Sequence, residues 1–374
     1  MLEMAEIFRL YGPAYRKKYG DQMLPSHKRA MHDIESCRTP DLGGQVYACR
    51  KCQTFDYSYH SCQNRSCPKC QNDQAEEWRV KQQRLLLPVP YFLVTFALPA
   101  ELRKPARSNQ KVFYDILFKA SAAAMQKLAL DPKYVGGKIG FMGILHIPKK
   151  PGQAWRRDLA YHPHLHYLVP GGGVSQDGRT WLPTRNNFFL PVRALSKIFR
   201  AKFRDALKYS SALKETDLFK SVPSCVWHKD WVVHCKPAGT GKQVLKYLAP
   251  YVFRVALSNR RLVKLKNDRV TFSYKDAKTR KLHTMTLPVF HFIHRFLQHV
   301  LPRGFKKVRH YGFLSSKHKR TLALLKYILG TVESDQPEDI TKEPLKHLCP
   351  KCGGEMVLVG TFAPNKRAPP VSKK

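Results

Sequence analysis

The chain has 374 residues, of which 43% are hydrophobic, so two or three domains with proper cores fit within it. Its 66 Lys and Arg against 27 Asp and Glu give a net charge of +39, with the basic residues spread along the whole length. Folded surfaces carrying such a field repel themselves, and they suit a polyanionic partner, nucleic acid before an anionic membrane surface. No apolar run of eighteen residues exists, and the amino terminus lacks the pattern of a signal peptide, so no membrane partner and a cytoplasmic, nucleoid-associated location are expected. Ten cysteines, most in tight Cys-x2-Cys pairs, suit a reduced compartment and metal better than secreted disulfides.

In chain order, residues 5–36 read as helical, and residues 37–70 as a short, polar, cysteine-studded module. The pairs Cys49/Cys52 and Cys67/Cys70 are separated by fourteen residues, a ribbon-like spacing that predicts one structural zinc ion held by these four thiolates. Cys37, His60 and Cys62 are surplus to that site and either complete a second zinc site or pack. Residues 74–87 suggest a connecting helix, 91–98 a strand rich in β-branched and aromatic residues, and 109–130 an amphipathic helix. Two further strands are expected at 138–147 and 164–169, joined by a basic loop.

The second of these strands carries Tyr161-His162-Pro163-His164-Leu165-His166-Tyr167-Leu168-Val169-Pro170. Alternation along a strand places His164 and His166 on one face, with Leu165 and Tyr167 on the other. Two convergent imidazoles make half of a divalent metal site for Mg²⁺ or Mn²⁺. His146, on the adjacent expected strand, is the best third ligand, with His162 the runner-up.

Beyond a helix at 191–209 and a strand at 226–235, residues 242–254 read as a helix. Tyr247 and Tyr251, four apart, then share a face, and Pro250 predicts a kink or a restart between them. A bound cation could neutralise a scissile phosphate for in-line attack by a tyrosine, conserving the bond energy in a phosphotyrosine link. No Walker-type loop occurs, in keeping with a reaction that needs no ATP. Segments 262–265, 270–274 and 281–286 suggest a small meander, 287–300 a helix, and the chain beyond 330 a polar linker with a lone Cys349/Cys352 knuckle. Cys225 and Cys235 read as small core residues.

These strings, in this order over residues 25–320, resemble the HUH endonuclease superfamily, and within it the two-tyrosine rolling-circle insertion-sequence transposases with an amino-terminal zinc-binding domain. Similar stretches are Cys37-Arg38-Thr39-Pro40-Asp41-Leu42-Gly43-Gly44, the run from His60 to Cys70, and Val255-Ala256-Leu257-Ser258-Asn259-Arg260-Arg261. Pro250 between the tyrosines departs from the family pattern. The resemblance implies an α+β fold, with a zinc-ribbon-like module before an antiparallel sheet flanked by helices. Its expected divisions are residues 1–87, 88–320 and a tail from 321 to 374. It also implies cleavage and rejoining of single-stranded DNA, at transposon ends and target, through a 5′-phosphotyrosine.

Arg156, Arg157, Arg254, Arg260 and Arg261 are candidate DNA contacts, with Trp155, Tyr161 and Tyr167 as stacking faces. Alternatives are a rolling-circle replication initiator or relaxase, and a zinc-containing nucleic-acid binder without catalysis. A tyrosine recombinase would need an Arg/His cluster and no metal. Oligomeric state is not legible.

Overall fold

A computed structural model describes residues 1–70, 74–147, 161–213, 216–253, 257–275, 281–330 and 347–364. Two helices open the chain, α1 (Met4–Tyr19) and α2 (Pro25–Glu35), followed by the hairpin β1 (Gly44–Cys49) and β2 (Phe55–Tyr59), then α3 (Gln74–Gln83). Next come β3 (Pro90–Ala97), α4 (Arg103–Ser108), α5 (Gln110–Ala129), β4 (Phe141–His146), β5 (His164–Pro170) and the small pair β6 (Gly172–Val174) and β7 (Trp181–Pro183). The chain continues through α6 (Val192–Lys208), α7 (Leu218–Ser221), β8 (Val233–Thr240) and α8 (Gly241–Phe253). A meander, β9 (Leu262–Lys266), β10 (Arg269–Lys275) and β11 (Leu282–Pro288), leads to α9 (Val289–Leu297), β12 (Val308–Tyr311), α10 (Lys319–Ile328) and β13 (Met356–Phe362).

The central sheet has the order β12-β4-β5-β3-β8, and every neighbouring pair is antiparallel. One face is sealed by α5 and α6. Leu195, Phe199, Phe203 and Leu207 recur every four residues on α6, making an apolar stripe that meets Phe92, Val94 and Phe96 of β3 and Leu165, Tyr167 and Val169 of β5. The opposite face carries Leu93, Met142, Ile144 and Leu168, and on these lie Val244, Leu245 and Leu248 of α8. The fold is thus α+β, a zinc-binding amino-terminal region joined to an antiparallel sheet with helices on both faces.

Two contacts cross the expected divisions of the chain. Helices α1 and α2 share a core with the meander and α9, where Phe8 meets Phe296 edge-on. The expected tail also returns: β13 pairs antiparallel with β1, giving a three-stranded sheet in the order β13-β1-β2. An unpaired β1 edge would leave a row of unsatisfied backbone groups, and β13 satisfies them. Other expectations shift more modestly. The strand expected from residue 226 starts at Val233, because Ser224–Trp227 forms a 3-10 turn. Pro250 does not divide the tyrosine helix, which runs as one element from Gly241 to Phe253.

Gly143 on β4 faces Tyr167, whose ring atom Cε1 would lie 2.4 Å from an added Cβ. That ring is fully buried and held by Ser121 through its hydroxyl at 2.7 Å, so it cannot swing away. Gly143→Ala is therefore expected to destabilise the fold by about 1–3 kcal/mol, the usual cost of overpacking. Chemical denaturation of the two proteins checks this, and equal midpoints would refute it.

Candidate active site

Register assembles the three histidines. His146 stands directly opposite His164 across the β4–β5 pair, and His166 lies two residues along on the same face. His164 Nε2 lies 3.1 Å from His146 Nδ1 and 2.9 Å from His166 Nε2, so three ring nitrogens converge. His164 Nδ1 faces the His162 carbonyl at 3.2 Å. A carbonyl only accepts, so Nδ1 must carry the proton, which leaves the Nε2 lone pair turned toward the other two rings. His166 Nδ1 is held by the Thr95 hydroxyl at 3.0 Å. A cluster of three imidazoles, of which His164 and His166 have their outer nitrogens engaged by oxygen, is the donor set of a divalent cation site, and these residues fit one.

His162, the runner-up ligand, is not in this cluster: its side chain lies 3.4 Å from the Arg103 guanidinium. Thr95 was not among the expected site residues, although it is the one aliphatic hydroxyl among the apolar and aromatic residues of Tyr91 to Leu98. It lies on the histidine face because it pairs with His166.

Helix α8 begins at the opposite end of that face, where Gly241 lies against Tyr91, and runs back toward the histidines. Its last turn is tied there by Lys307, whose Nζ donates to the Val252 carbonyl at 2.9 Å. The backbone carbonyl of Lys307 in turn accepts from Leu145 N–H, next to His146. The last carbonyls of a helix lack partners within it, and an amine at that end suits the helix dipole. Tyr247 is half exposed, and Tyr251 lies one turn further along α8, toward the histidine end.

The other expected contacts divide. Arg260 is exposed, while Arg261 donates to the Ser273 carbonyl at 2.8 Å within the meander. Tyr161 and Tyr167 are not stacking faces but core residues, hydrogen-bonded to Tyr114 and Ser121, and burial raises the pKa of both phenols. Arg156, Arg157, Trp155 and Arg254 lie outside the described residues. Cys225 is exposed rather than in the core.

The cysteines regroup. Cys37, Cys62, Cys67 and Cys70 form one cluster, and Cys49, Cys52, Cys349 and Cys352 another, so Cys49/Cys52 and Cys67/Cys70 do not share an ion. The hairpin is the reason. Six residues of β1, at about 3.3 Å each, carry the Cys49/Cys52 turn about 20 Å from the base. The residues that follow Cys52 are spent on the return strand. In the first cluster Cys70 Sγ lies 3.5 Å from Cys37 Sγ and 3.6 Å from Cys62 Sγ. His60 is exposed and in neither cluster.

With this geometry the comparisons agree. A family described as "Putative transposase" matches residues 140–321, which hold the histidines and α8, and one described as "Transposase zinc-binding domain" matches residues 7–98. The chain is 37% identical to "Putative transposase y4qJ" of Sinorhizobium fredii, over 96% of its own length and 95% of the relative's. It is 26% identical to the transposase for insertion sequence element IS801 of Pseudomonas savastanoi pv. phaseolicola, over 75% of its own length and 68% of the relative's. No solved structure matches it. Fold and site thus define a DNA-acting enzyme with a zinc-binding amino-terminal domain. The chain belongs to the transposases of the IS91/IS801 type, a rolling-circle insertion-sequence family. Among the described residues no helix is long and apolar enough to cross a membrane.

Two outcomes follow from the groups around the histidines. Thr95→Val removes the hydroxyl that orients His166 and should weaken Mn²⁺ binding by about 10- to 100-fold, as loss of such outer partners does; unchanged affinity in a Mn²⁺ titration would refute the role. Burial pushes the Lys307 ammonium down from its ordinary 10.5 to about 7. Between these values the unfolded chain holds a proton that the folded chain lacks, so this group makes stability rise with pH across that window. Lys307→Met should flatten the rise, and parallel melting curves of the two proteins from pH 7 to 10 would contradict this.

Proposed function

We propose that the chain cleaves and rejoins single-stranded DNA through a covalent 5′-phosphotyrosine, using Tyr251 and Tyr247 in successive transfers. The observation that carries this reading is the placement of the tyrosine helix on the same sheet face as His146, His164 and His166, with its carboxyl end toward them. A Mg²⁺ or Mn²⁺ ion held by these histidines would neutralise charge on the scissile phosphate.

The phenol oxygen attacks phosphorus, the bond from phosphorus to the 3′ oxygen breaks, and the phenolic proton passes to solvent. The departing 3′ oxygen takes up a proton and becomes a free hydroxyl. No bond energy is lost to water, so a 3′ hydroxyl can later attack the phosphotyrosine and reseal a strand. Two tyrosines allow a second strand to be joined before the first is released. Tyr251 makes the first attack, because it lies one helical turn, about 6 Å, closer along α8 to the histidine end than Tyr247. The net charge of +39 supports a polyanionic partner, and exposed Arg260 lies just after the tyrosine helix.

Labelled single-stranded DNA carrying the element's own ends provides the test. His164→Ala and His166→Ala should abolish cleavage and leave DNA binding largely intact, since many phosphate contacts dominate affinity. Full Mn²⁺-dependent cleavage by either variant would sink the metal assignment. Tyr251→Phe should lose the covalent adduct in the isolated cleavage assay, whereas Tyr247→Phe should still form it but fail to complete transposition. The reverse pattern would exchange the two roles, and normal cleavage by both variants would end the tyrosine mechanism.

A further inference from the structure

The Cys349/Cys352 turn lies outside both family matches, which end at residues 98 and 321. It nevertheless meets the Cys49/Cys52 turn, more than 290 residues away in sequence. Cys49 Sγ lies 3.5 Å from Cys352 Sγ, Cys52 Sγ 3.5 Å from Cys349 Sγ, and Cys52 Sγ 3.4 Å from Cys352 Sγ.

The two turns are built alike. Cys49 N–H donates to the Thr54 carbonyl at 3.0 Å, and Gln53 N–H to the Cys49 carbonyl at 3.0 Å. Cys349 N–H donates to the Gly354 carbonyl at 2.8 Å, and Gly353 N–H to the Cys349 carbonyl at 2.9 Å. In each turn the residue after the second cysteine is left-handed, Gln53 at φ 55° and Gly353 at φ 69°. Glutamine accepts that conformation only at a cost in energy, so something other than local preference holds the first turn in the shape of the second.

We propose that Cys49, Cys52, Cys349 and Cys352 form a second structural zinc site, which clasps the carboxyl-terminal segment to the amino-terminal hairpin. Four sulfurs around a zinc ion at about 2.3 Å stand about 3.8 Å apart, close to the separations found. A disulfide needs about 2.05 Å, and all ten cysteines are free. Hydrophobic burial does not explain the cluster either, because Cys352 is exposed. On binding, each thiol gives up its proton to solvent and no electron is transferred. All four positions are filled by sulfur, so the site has no place for a substrate and its role is structural.

Further contacts align the clasp. His347 Nε2 lies 2.8 Å from Asp56 Oδ2, the His347 ring stacks on Tyr47, and β13 lies along β1. The zinc-binding region of this protein is therefore completed by its last described segment.

Metal analysis and alkylation of the full-length protein test the clasp. Wild type should hold one more zinc ion per chain than Cys349→Ser/Cys352→Ser, a difference in which any ion at the histidines cancels. Equal zinc contents would overturn the proposal. A second measurement needs no variant. In zinc-loaded wild type, iodoacetamide should modify exposed Cys225 readily and spare Cys352, and a zinc chelator should make Cys352 reactive. Cys352 modified as fast as Cys225 before chelation would overturn the proposal even if the double variant failed to fold.

Discussion

The period-2 alternation of β5, placed at the centre of an antiparallel sheet, is the constraint on which the rest depends. Leu165, Tyr167 and Val169 enter the core beneath α5 and α6, and that burial fixes the rotation of the strand. His164 and His166 are then forced onto the other face. A one-residue slip would drive two imidazoles into a largely apolar layer and lift Tyr167 away from Ser121, so the fold cannot lose the register without losing its core. Stability and the site thus rest on the same hydrogen-bond ladder.

The histidine face is shared unequally. Leu168 and its neighbours lie beneath α8, and the histidines occupy the end toward which that helix runs. Apolar packing by Val244, Leu245 and Leu248 sets the height of α8 over the sheet, and the Lys307 amine fixes its last turn. Withdrawing an amine from water into this partly buried position is costly. Its hydrogen bond to a helix-terminal carbonyl offsets part of that cost, and the result is a helix end anchored beside the strand that carries His146.

The cysteine clusters extend this order to both ends of the chain. Cys37 follows α2, which shares a core with α9 and the meander, so the first cluster fixes the hairpin base to the body of the protein. Arg65 strengthens that seam by donating to the carbonyls of Phe305 and Pro302, a few residues before Lys307. The zinc-binding region and the tyrosine helix are therefore linked through the short segment 302–307.

Local residue patterns were enough to place the histidines on one strand face, to propose His146 as their partner, to find the tyrosine helix and to outline the meander, because each depends on periods of two or 3.6 residues. The family resemblance was equally legible, since it lies in short contiguous strings. Which cysteines share an ion was not, because a hairpin converts sequence spacing into distance in a way that depends on where its turn falls, and Cys349 meets Cys52 only through the pairing of β13 with β1. Thr95 and Lys307 were equally hidden: one acts across a strand pair, and the other reaches a helix end 55 residues away in sequence. Composition and period determined the elements and the chemistry they could carry. Tertiary structure alone decided the partners, because long-range contacts leave no repeat in the sequence to be read.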